Sequence, residues 1–355
     1  MAASTSIVQP PKDTAKALTI ALSARALFDL EKEDKFFHEN GLDAYIKHMM
    51  ENEEKVLEKG PAFEFVKSAL AVNDAIRKLD PKDDELFDIV IVSRNHAQAG
   101  VRLIRSINHY DGIFLERMSL TGGSDPTKYL GAWNTDLFLS PDEHDVRKAI
   151  EAGFPAAVVY QNNGEDLPND QLRIAFDGDS VLFSDEAEQV YQKEGLVGFV
   201  QNETQKAAIP LGEGPIKKFA SRIAKIQKKF HKKGVPRDQC PIRTYLVTAR
   251  SGASGGERAI KTLRDWGLEI DESHFKSGAS KANMLKAIRP HLFLDDSESH
   301  VDKALKANIP AAKVPYGINS EKVKPKGGKK RGSDLVEGEG AKSTLKGHFP
   351  VKKAK

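Results

Sequence analysis

Short apolar runs alternate with charged, amphipathic stretches along most of the chain. Leu18–Leu22, Phe87–Val92 and Asp136–Leu139 have the length and hydrophobicity of buried strands. Helical stretches at about 98–108 and 143–152 follow the second and third of these runs. Strands that alternate with helices predict an α/β fold with a parallel sheet that is covered on both faces.

The second part of the chain repeats the first. Residues 137–146 match residues 292–301 at a constant offset, which also aligns the helices and strands that follow them. Upstream, Ile20–Ala21 pairs with Ile174–Ala175 at an offset one residue shorter, so a single gap reconciles both parts. We interpret the repeat as a tandem duplication of one α/β domain. The alternative is two unrelated domains that share a generic pattern.

The repeat divides the chain into predicted units. The first copy covers residues 17–160, and the second covers residues 168–318, with a helical insert at about 184–240. Residues 1–16 predict a disordered leader, and the Gly- and Lys-rich residues 319–355 predict a disordered basic tail.

Composition excludes several classes of protein. Cys240 is the only cysteine, so neither an intrachain disulfide nor a cysteine-based zinc site is expected. No run approaches ~18 apolar residues, and residues 1–16 lack a signal-peptide core, so no membrane segment is expected. From Glu321 to Lys355, eleven Lys or Arg face four Asp or Glu, so the rest of the chain is mildly acidic. A nucleic-acid partner is therefore not expected.

The two copies differ at the ends of their strands. Asp177, Asp179, Asp295 and Asp296 stand where the first copy has Ser23, Arg25, Ser140 and Pro141; Lys281 stands at Pro126 and Thr248 at Ser93. Residues needed only for turns would occur in both copies, so four carboxylates in one copy indicate chemistry. Paired carboxylates at a buried strand end are costly unless a cation lies between them, and a divalent metal is the simplest one.

Four motifs of the second copy follow its predicted strands. They are Asp177-Gly-Asp179, Thr248 with the glycine-rich turn 251–256, Lys281 at the start of a helical stretch, and Asp295-Asp296. Open α/β sheets bind ligands at the carboxyl ends of their strands, so we expect these motifs to form one site. Backbone N–H groups of the turn are suited to accept an anion.

This order of motifs resembles the haloacid dehalogenase (HAD) superfamily of phosphatases, in which D-x-D, a strand-end Thr or Ser, Lys and D-D follow one another. Residues 175–185 and 275–296 are similar to the cytosolic type I 5′-nucleotidases. The resemblance extends from about residue 16 to residue 316. It implies two HAD-like Rossmannoid domains, each with a helical cap-type insert.

The resemblance assigns roles to the acids. Asp177 would attack phosphorus and form an aspartyl-phosphate. Asp179 would protonate the leaving oxygen and then take a proton from the attacking water. Asp177, the backbone carbonyl of Asp179, and Asp295 assisted by Asp296 would bind Mg²⁺.

The resemblance also assigns the groups that contact phosphate. Thr248 would hold a phosphoryl oxygen, with Ala249 and Arg250 beside it in the substrate site. Lys281 would balance the negative charge of nucleophile and phosphate, and Lys276 is its nearest rival for that role.

The insert at 184–240 would act as a mobile cap that recognises the leaving group and excludes water. Candidate nucleoside contacts within it are Phe199, Asn202 and Phe219, for which helix packing is the alternative. No metal-binding histidine motif is present, and His231, His291 and His300 are interpreted as structural or surface residues.

Together these features predict a cytoplasmic, Mg²⁺-dependent 5′-nucleotidase acting on nucleoside 5′-monophosphates, with AMP favoured by the resemblance. The alternatives are a phosphatase of another small phosphomonoester, such as a sugar phosphate, and a non-catalytic nucleotide-binding protein. The first copy has lost the acids and has Arg25 at its strand end. It is expected either to bind a nucleotide effector or to serve as a scaffold or dimerisation half, and a homo-oligomer is a further expectation.

Overall fold

The computed structural model describes residues 16–83, 86–162, 164 and 167–318. The predicted tail and nearly all of the predicted leader lie outside the described residues. The strands are β1 (Leu18–Leu22), β2 (Phe28–Asp29), β3 (Glu58–Lys59), β4 (Phe87–Ser93), β5 (Arg117–Leu120), β6 (Thr135–Ser140), β7 (Ala156–Val159), β8 (Leu172–Phe176), β9 (Ile242–Thr248), β10 (Glu272–Phe275), β11 (Leu292–Asp295) and β12 (Ala311–Lys313). The α-helices are α1 (Ala24–Leu27), α2 (Glu31–Glu51), α3 (Phe63–Leu79), α4 (Gly100–His109), α5 (Glu143–Glu151), α6 (Glu186–Gln205), α7 (Lys217–Lys232), α8 (Gly256–Asp265), α9 (Ala282–Ile288) and α10 (Glu298–Leu305).

A single ten-stranded sheet runs through both halves of the chain. Its order is β10-β9-β8-β11-β12-β7-β6-β1-β4-β5, while β2 and β3 form a short antiparallel ribbon. Neighbours in the large sheet pair in parallel, apart from the antiparallel contact between β12 and β7. The predicted α/β fold is thus confirmed, with one mostly parallel sheet in place of two. The antiparallel junction puts the carboxyl ends of the two halves at opposite edges.

The two halves have the same strand order. From the outer edge inwards, β5-β4-β1-β6-β7 in the first half corresponds to β10-β9-β8-β11-β12 in the second. Helices α2 and α6, which follow the first strand of each half, both bend at a glycine: Gly41 has φ 80° and Gly195 has φ 68°. A positive φ of this size is strained for residues with a side chain, so glycine makes each bend accessible. Both halves therefore have equivalent topology.

Alternation of side chains along the strands divides the core into layers. On one face, Ile20 and Leu22 of the first half share a single cluster with Ile174 and Phe176 of the second. On the other face each half has a hydrophobic cluster of its own, which contains Ala21 in the first half and Ala175 in the second. This follows from the period of two in a strand, which sends successive side chains to opposite faces.

Helix α7 belongs to the shared core. Its residues Phe219, Ile223 and Phe230 are buried there, and truncating either phenylalanine to alanine would cost about 3–5 kcal/mol. The ring of Phe219 packs 6.3 Å from that of Phe176, so the proposed nucleoside contact at Phe219 is wrong and the packing alternative is right. Within the insert, both α6 and α7 contact the turn after β8, and Glu203 of α6 contacts Arg250.

Among the described helices, none has the length and apolar character needed to cross a membrane.

Candidate active site

Three strand ends of the second half meet in the middle of its sheet. Asp177 directly follows β8, Thr248 ends β9, and Asp295 ends β11. Because β9, β8 and β11 are neighbours with parallel pairing, their carboxyl ends lie side by side. The predicted convergence of these motifs at one edge is therefore present in the fold.

A buried lysine joins two of the acids. Lys281 caps the start of α9, and its Nζ lies 2.8 Å from Oδ1 of Asp177 and 2.7 Å from Oδ2 of Asp295. All three side chains are buried. The rival Lys276 is half-buried, and its backbone N–H donates to the Thr248 carbonyl oxygen at 2.9 Å. The structure therefore brings Lys281 to the acids.

Burial and charge act in opposite directions on these groups. Burial raises the pKa of Asp177 to about 6, with Lys281 opposing the shift and Asp295 adding to it. Burial also favours the neutral form of Asp295, but the charges of Lys281 and His300 outweigh it and lower its pKa to about 2. Burial would lower the pKa of Lys281, but its two carboxylate neighbours raise it, so it stays a cation. One lysine thus compensates a pair of acids that repel each other.

His300, interpreted from the sequence as structural or surface, belongs to this cluster. Its Nδ1 lies 3.2 Å from both carboxylate oxygens of Asp295. Ligand atoms of Asp177, Asp295 and His300 all lie within 4.8 Å of one another. The one available signal was position, because His300 follows Asp295 within the first turn of the next helix.

The donor set of this cluster fits a divalent cation. Two buried carboxylates supply the hard oxygen ligands that Mg²⁺ and Mn²⁺ prefer, and an imidazole nitrogen adds a donor common at transition-metal sites. Asp296 is also buried and follows Asp295, but it is outside this group of three. The side chain of Asp179 is outside it as well.

The Asp179 carboxylate points to Arg250 instead. Arg250 donates from Nε to Oδ2 at 2.8 Å and from Nη2 to Oδ1 at 2.7 Å. The Arg250 side chain is only 1% exposed, and its remaining donors are directed to Glu203 and the Gly255 carbonyl. Four of the five N–H groups of the guanidinium predicted to bind substrate therefore donate to protein groups. Ala249, by contrast, is exposed at the same strand end.

The turn between β8 and α6 is narrow. An added Cβ at Gly178 would lie 3.1 Å from Oγ1 of Thr248, so glycine allows the two strand ends to approach. Oγ1 of Thr248 accepts from the Arg250 N–H at 3.2 Å. Ser180 lies in the left-handed region with φ 61°, a strained geometry that often marks functional turns. These contacts place the Thr248 hydroxyl next to the D-x-D motif.

Some backbone N–H groups of the glycine-rich turn form hydrogen bonds within the turn itself. The N–H groups of Gly255 and Gly256 both donate to the Ser251 carbonyl, at 3.1 and 2.9 Å. These two N–H groups are therefore committed within the turn, which reduces what it can offer to an anion.

Two of the proposed nucleoside contacts lie on α6 near Arg250. Phe199 is half-buried, with its ring 5.6 Å from the Arg250 guanidinium carbon. Asn202 donates from Nδ2 to Oε1 of the adjacent Glu203 at 3.1 Å. Phe199 is thus the better placed of the two for a ligand.

The equivalent edge of the first half carries cations that are already paired. Arg94 contacts Asp145, and the Lys148 Nζ lies 3.0 Å from Asp125. Arg25, at the position of Asp179, lies 3.4 Å from Asp34. Arg94, Lys148 and Arg25 thus each face a neighbouring carboxylate.

Comparisons with known proteins agree on one family. A family model described as 5′-nucleotidase matches residues 10–321. Cytosolic 5′-nucleotidase 1B from Homo sapiens is 47% identical over 314 residues, which cover 88% of this chain and 50% of that protein. The chain thus spans about half the length of this curated relative. No solved structure matches the chain.

Proposed function

The chain belongs to the 5′-nucleotidase family, and from this premise we propose that it hydrolyses nucleoside 5′-monophosphates to nucleoside and phosphate. The observation that carries the proposal is the buried contact of Lys281 with both Asp177 and Asp295 at the carboxyl edge of the second half. AMP is the favoured substrate on the family resemblance. A cytoplasmic location is proposed on the name of the human relative.

In the first step, a carboxylate oxygen of Asp177 attacks phosphorus and the bond from phosphorus to the ribose oxygen breaks. The leaving oxygen takes a proton from Asp179. Attack by a carboxylate on a phosphate dianion meets repulsion of about 4 kcal/mol per charge pair at ~4 Å and an effective dielectric of ~20. Lys281, whose Nζ is 2.8 Å from Asp177, offsets this repulsion.

In the second step, water loses a proton to Asp179 and attacks phosphorus. The bond between phosphorus and Asp177 breaks, and its electron pair returns to the carboxylate. Thr248 would donate its hydroxyl to a phosphoryl oxygen, and the support for this role is the position of the hydroxyl beside Gly178 of the D-x-D turn. Phosphate leaves, and the site returns to its first state.

Asp177, Asp295 and His300 would hold a divalent cation, with Asp296 and the Asp179 backbone carbonyl as further candidates. Such a cation, Mg²⁺ in our proposal, supplies positive charge against the phosphoryl oxygens.

We further propose that the two halves arose by tandem duplication. The support is the shared strand order and the glycine bend at the same place in α2 and α6. The domain ranges 17–160 and 168–318 follow from that proposal. For the first half we propose a scaffolding role, because Arg25, Arg94 and Lys148 already face acids. Its binding of a nucleotide effector, and assembly into a homo-oligomer, stay predictions.

The decisive experiment combines a substrate panel with one substitution. Purified protein is assayed with nucleoside and sugar monophosphates in the presence of Mg²⁺, and after removal of metal by a chelator. Asp177→Asn should abolish turnover while leaving nucleotide binding measurable by calorimetry. A preference for sugar phosphates would overturn the substrate assignment. Full activity in Asp177→Asn would overturn the mechanism.

A further inference from the structure

A chain of buried ion pairs connects helix α6 to Asp179. Glu203, on the last part of α6, is 0% exposed and lies between two arginines. One of its oxygens contacts Arg250, and the other accepts from Arg258 at 2.8 Å. Arg250 in turn donates to both oxygens of Asp179. The Arg250 guanidinium is therefore shared between Glu203 of the insert and Asp179, the proposed acid.

The first half has only part of this chain of charges. Arg102, which takes the place of Arg258 on α4, pairs with Glu33 at 2.8 Å, but the positions of Glu203 and Arg250 hold Met49 and Asn95. Met49 is fully buried in a small apolar cluster with Tyr45. The same helix therefore packs onto the same kind of sheet with a neutral residue, so folding alone does not require Glu203.

Burying so many charges is expensive. Arg250, Arg258 and Glu203 have side-chain exposures of 2% or less. Ion pairs at this depth commonly add little stability over apolar residues of similar size. The first half also buries one such pair, Arg102 with Glu33, but only the half that carries Asp179 adds Glu203 and Arg250, and this difference points to a role at Asp179.

The geometry also restricts Asp179. Each of its oxygens accepts an N–H from Arg250, so the carboxylate has to release or rotate one of these bonds to reach a leaving oxygen. How readily it does so depends on what else Arg250 contacts. Nη1 of Arg250 donates to Glu203 and to the Gly255 carbonyl. The rings of Phe183 and Phe199 lie 5.7 and 5.6 Å from the guanidinium carbon.

We propose that Glu203 is a positioning residue that acts through Arg250 on Asp179, so that helix α6 sets the orientation of the proton-transferring carboxylate. The inference rests on the proposed function, because it assigns Asp179 to proton transfer. Without the charge of Glu203, Arg250 keeps Asp179 as its sole carboxylate partner among the contacts described. Arg250 then loses one of the contacts that fix its guanidinium, so the orientation of Asp179 is less well defined.

The test compares two esters that differ in their need for an acid. A nucleoside monophosphate expels an alkoxide, which needs a proton, whereas p-nitrophenyl phosphate expels an anion that is stable without one. Glu203→Gln should lower kcat/KM for AMP by about tenfold or more, within the range of general acid catalysis. For p-nitrophenyl phosphate, kcat/KM and the initial burst of nitrophenol should stay near wild type.

Glu186→Gln is the matched control. Glu186 accepts from the other end of Arg258 at 2.6 Å, so this variant disturbs the same chain without contacting Arg250. It should leave the ratio of the two kcat/KM values unchanged. Circular dichroism and thermal unfolding establish that each variant is folded.

Arg250→Lys decides the question if Glu203→Gln does not fold. Lysine keeps the charge but lacks the planar fork that spans both oxygens of Asp179, so the same selective loss on AMP is expected. Equal losses on both esters in either variant, or no loss, would overturn the inference. Wild-type protein that hydrolyses neither ester would instead overturn the proposed function.

Discussion

The two halves of the sheet satisfy the same local hydrogen bonds with different chemistry. At the end of its second parallel strand, each half has a hydroxyl that accepts an N–H two residues on: Ser93 at 3.3 Å in the first half, and Thr248 at 3.2 Å in the second. At the next site, Ser140 accepts from Asp142 at 3.1 Å, and Asp295 accepts from Ser297 at 2.9 Å.

This comparison separates what the turns need from what the chemistry needs. A serine is enough to satisfy the backbone after β6, yet the equivalent Asp295 is a fully buried carboxylate. Such a charge is unfavourable in the interior without a partner, and Lys281 and His300 are directed at it. The additional charge in the second half therefore serves something other than the fold.

At the amino ends of the strands, too, the two halves use different side chains as the acceptor for an equivalent backbone N–H. The backbone N–H of Thr19 donates to Asp136 at 3.2 Å, and the equivalent N–H of Arg173 donates to Nδ1 of His291 at 3.1 Å. His291 also contacts the Pro168 carbonyl, at 3.0 Å, which confirms its predicted structural role. Two unlike side chains thus serve as equivalent acceptors.

Removing the cation of the second half should have the largest effect. Lys281→Met leaves Asp177 and Asp295 buried without their shared partner, which should cost about 3–5 kcal/mol of stability at neutral pH. Turnover should fall by about 10²–10³, as for other lost charge-stabilising donors. Chemical denaturation and steady-state kinetics measure both. Lys276→Met is the control, and an equal loss there would contradict the assignment of Lys281.

His291, the acceptor at the amino end of the strands in the second half, should make the stability of the protein depend on pH. Burial lowers the pKa of His291 from 6.5 to about 4, so the folded protein keeps the ring neutral while the unfolded chain binds a proton. The stability it contributes is fully present above pH 6.5 and is lost as the pH falls to about 4. The loss amounts to about 3 kcal/mol.

His291→Gln should lose less stability than wild type between pH 7 and pH 4. Urea unfolding at several pH values measures the difference between the two curves. Parallel curves would show that His291 is not the group responsible.

Adding a methyl group at Gly178, in the turn after β8, tests whether the close approach of this turn to Thr248 matters for activity. Gly178 corresponds to Ala24 in the first half, so Gly178→Ala gives the second half the residue of the first. The new Cβ would lie 3.1 Å from the Thr248 hydroxyl and displace it by a few tenths of an ångström. We expect about a tenfold fall in kcat/KM, since small misplacements of catalytic groups are costly. The reverse change, Ala24→Gly, should cost about 1 kcal/mol of stability without affecting kinetics.

The smallest effect is expected at Arg25. The Arg25 side chain is 40% exposed and pairs with Asp34. Arg25→Ala should therefore change the unfolding equilibrium constant and the basal turnover rate by no more than about twofold. Assays with and without added nucleoside di- and triphosphates also test the effector prediction. Loss of nucleotide activation in this variant would show that the first half binds an effector and contradict its scaffolding role.

Much of this molecule could be predicted from the order of its residues. Apolar runs such as Leu18–Leu22 became strands, because a buried strand needs a continuous run of that length. The convergence of Asp177, Thr248 and Asp295 followed from one rule, that parallel strands of an open sheet end at the same edge. These inferences use local pattern and generic topology.

Other features depended on contacts between distant segments. The choice of Lys281 over Lys276, the contact of His300 with Asp295, and the burial of Glu203 between two arginines each required the positions of several elements at once. So did the antiparallel junction of β7 with β12 and the core shared by α3 and α7. The residues that neighbour a position in the chain indicate whether its side chain is buried, but they do not indicate which side chains it packs against. That partner is chosen by packing across the whole sheet, where burial, charge compensation and hydrogen bonding have to be satisfied together.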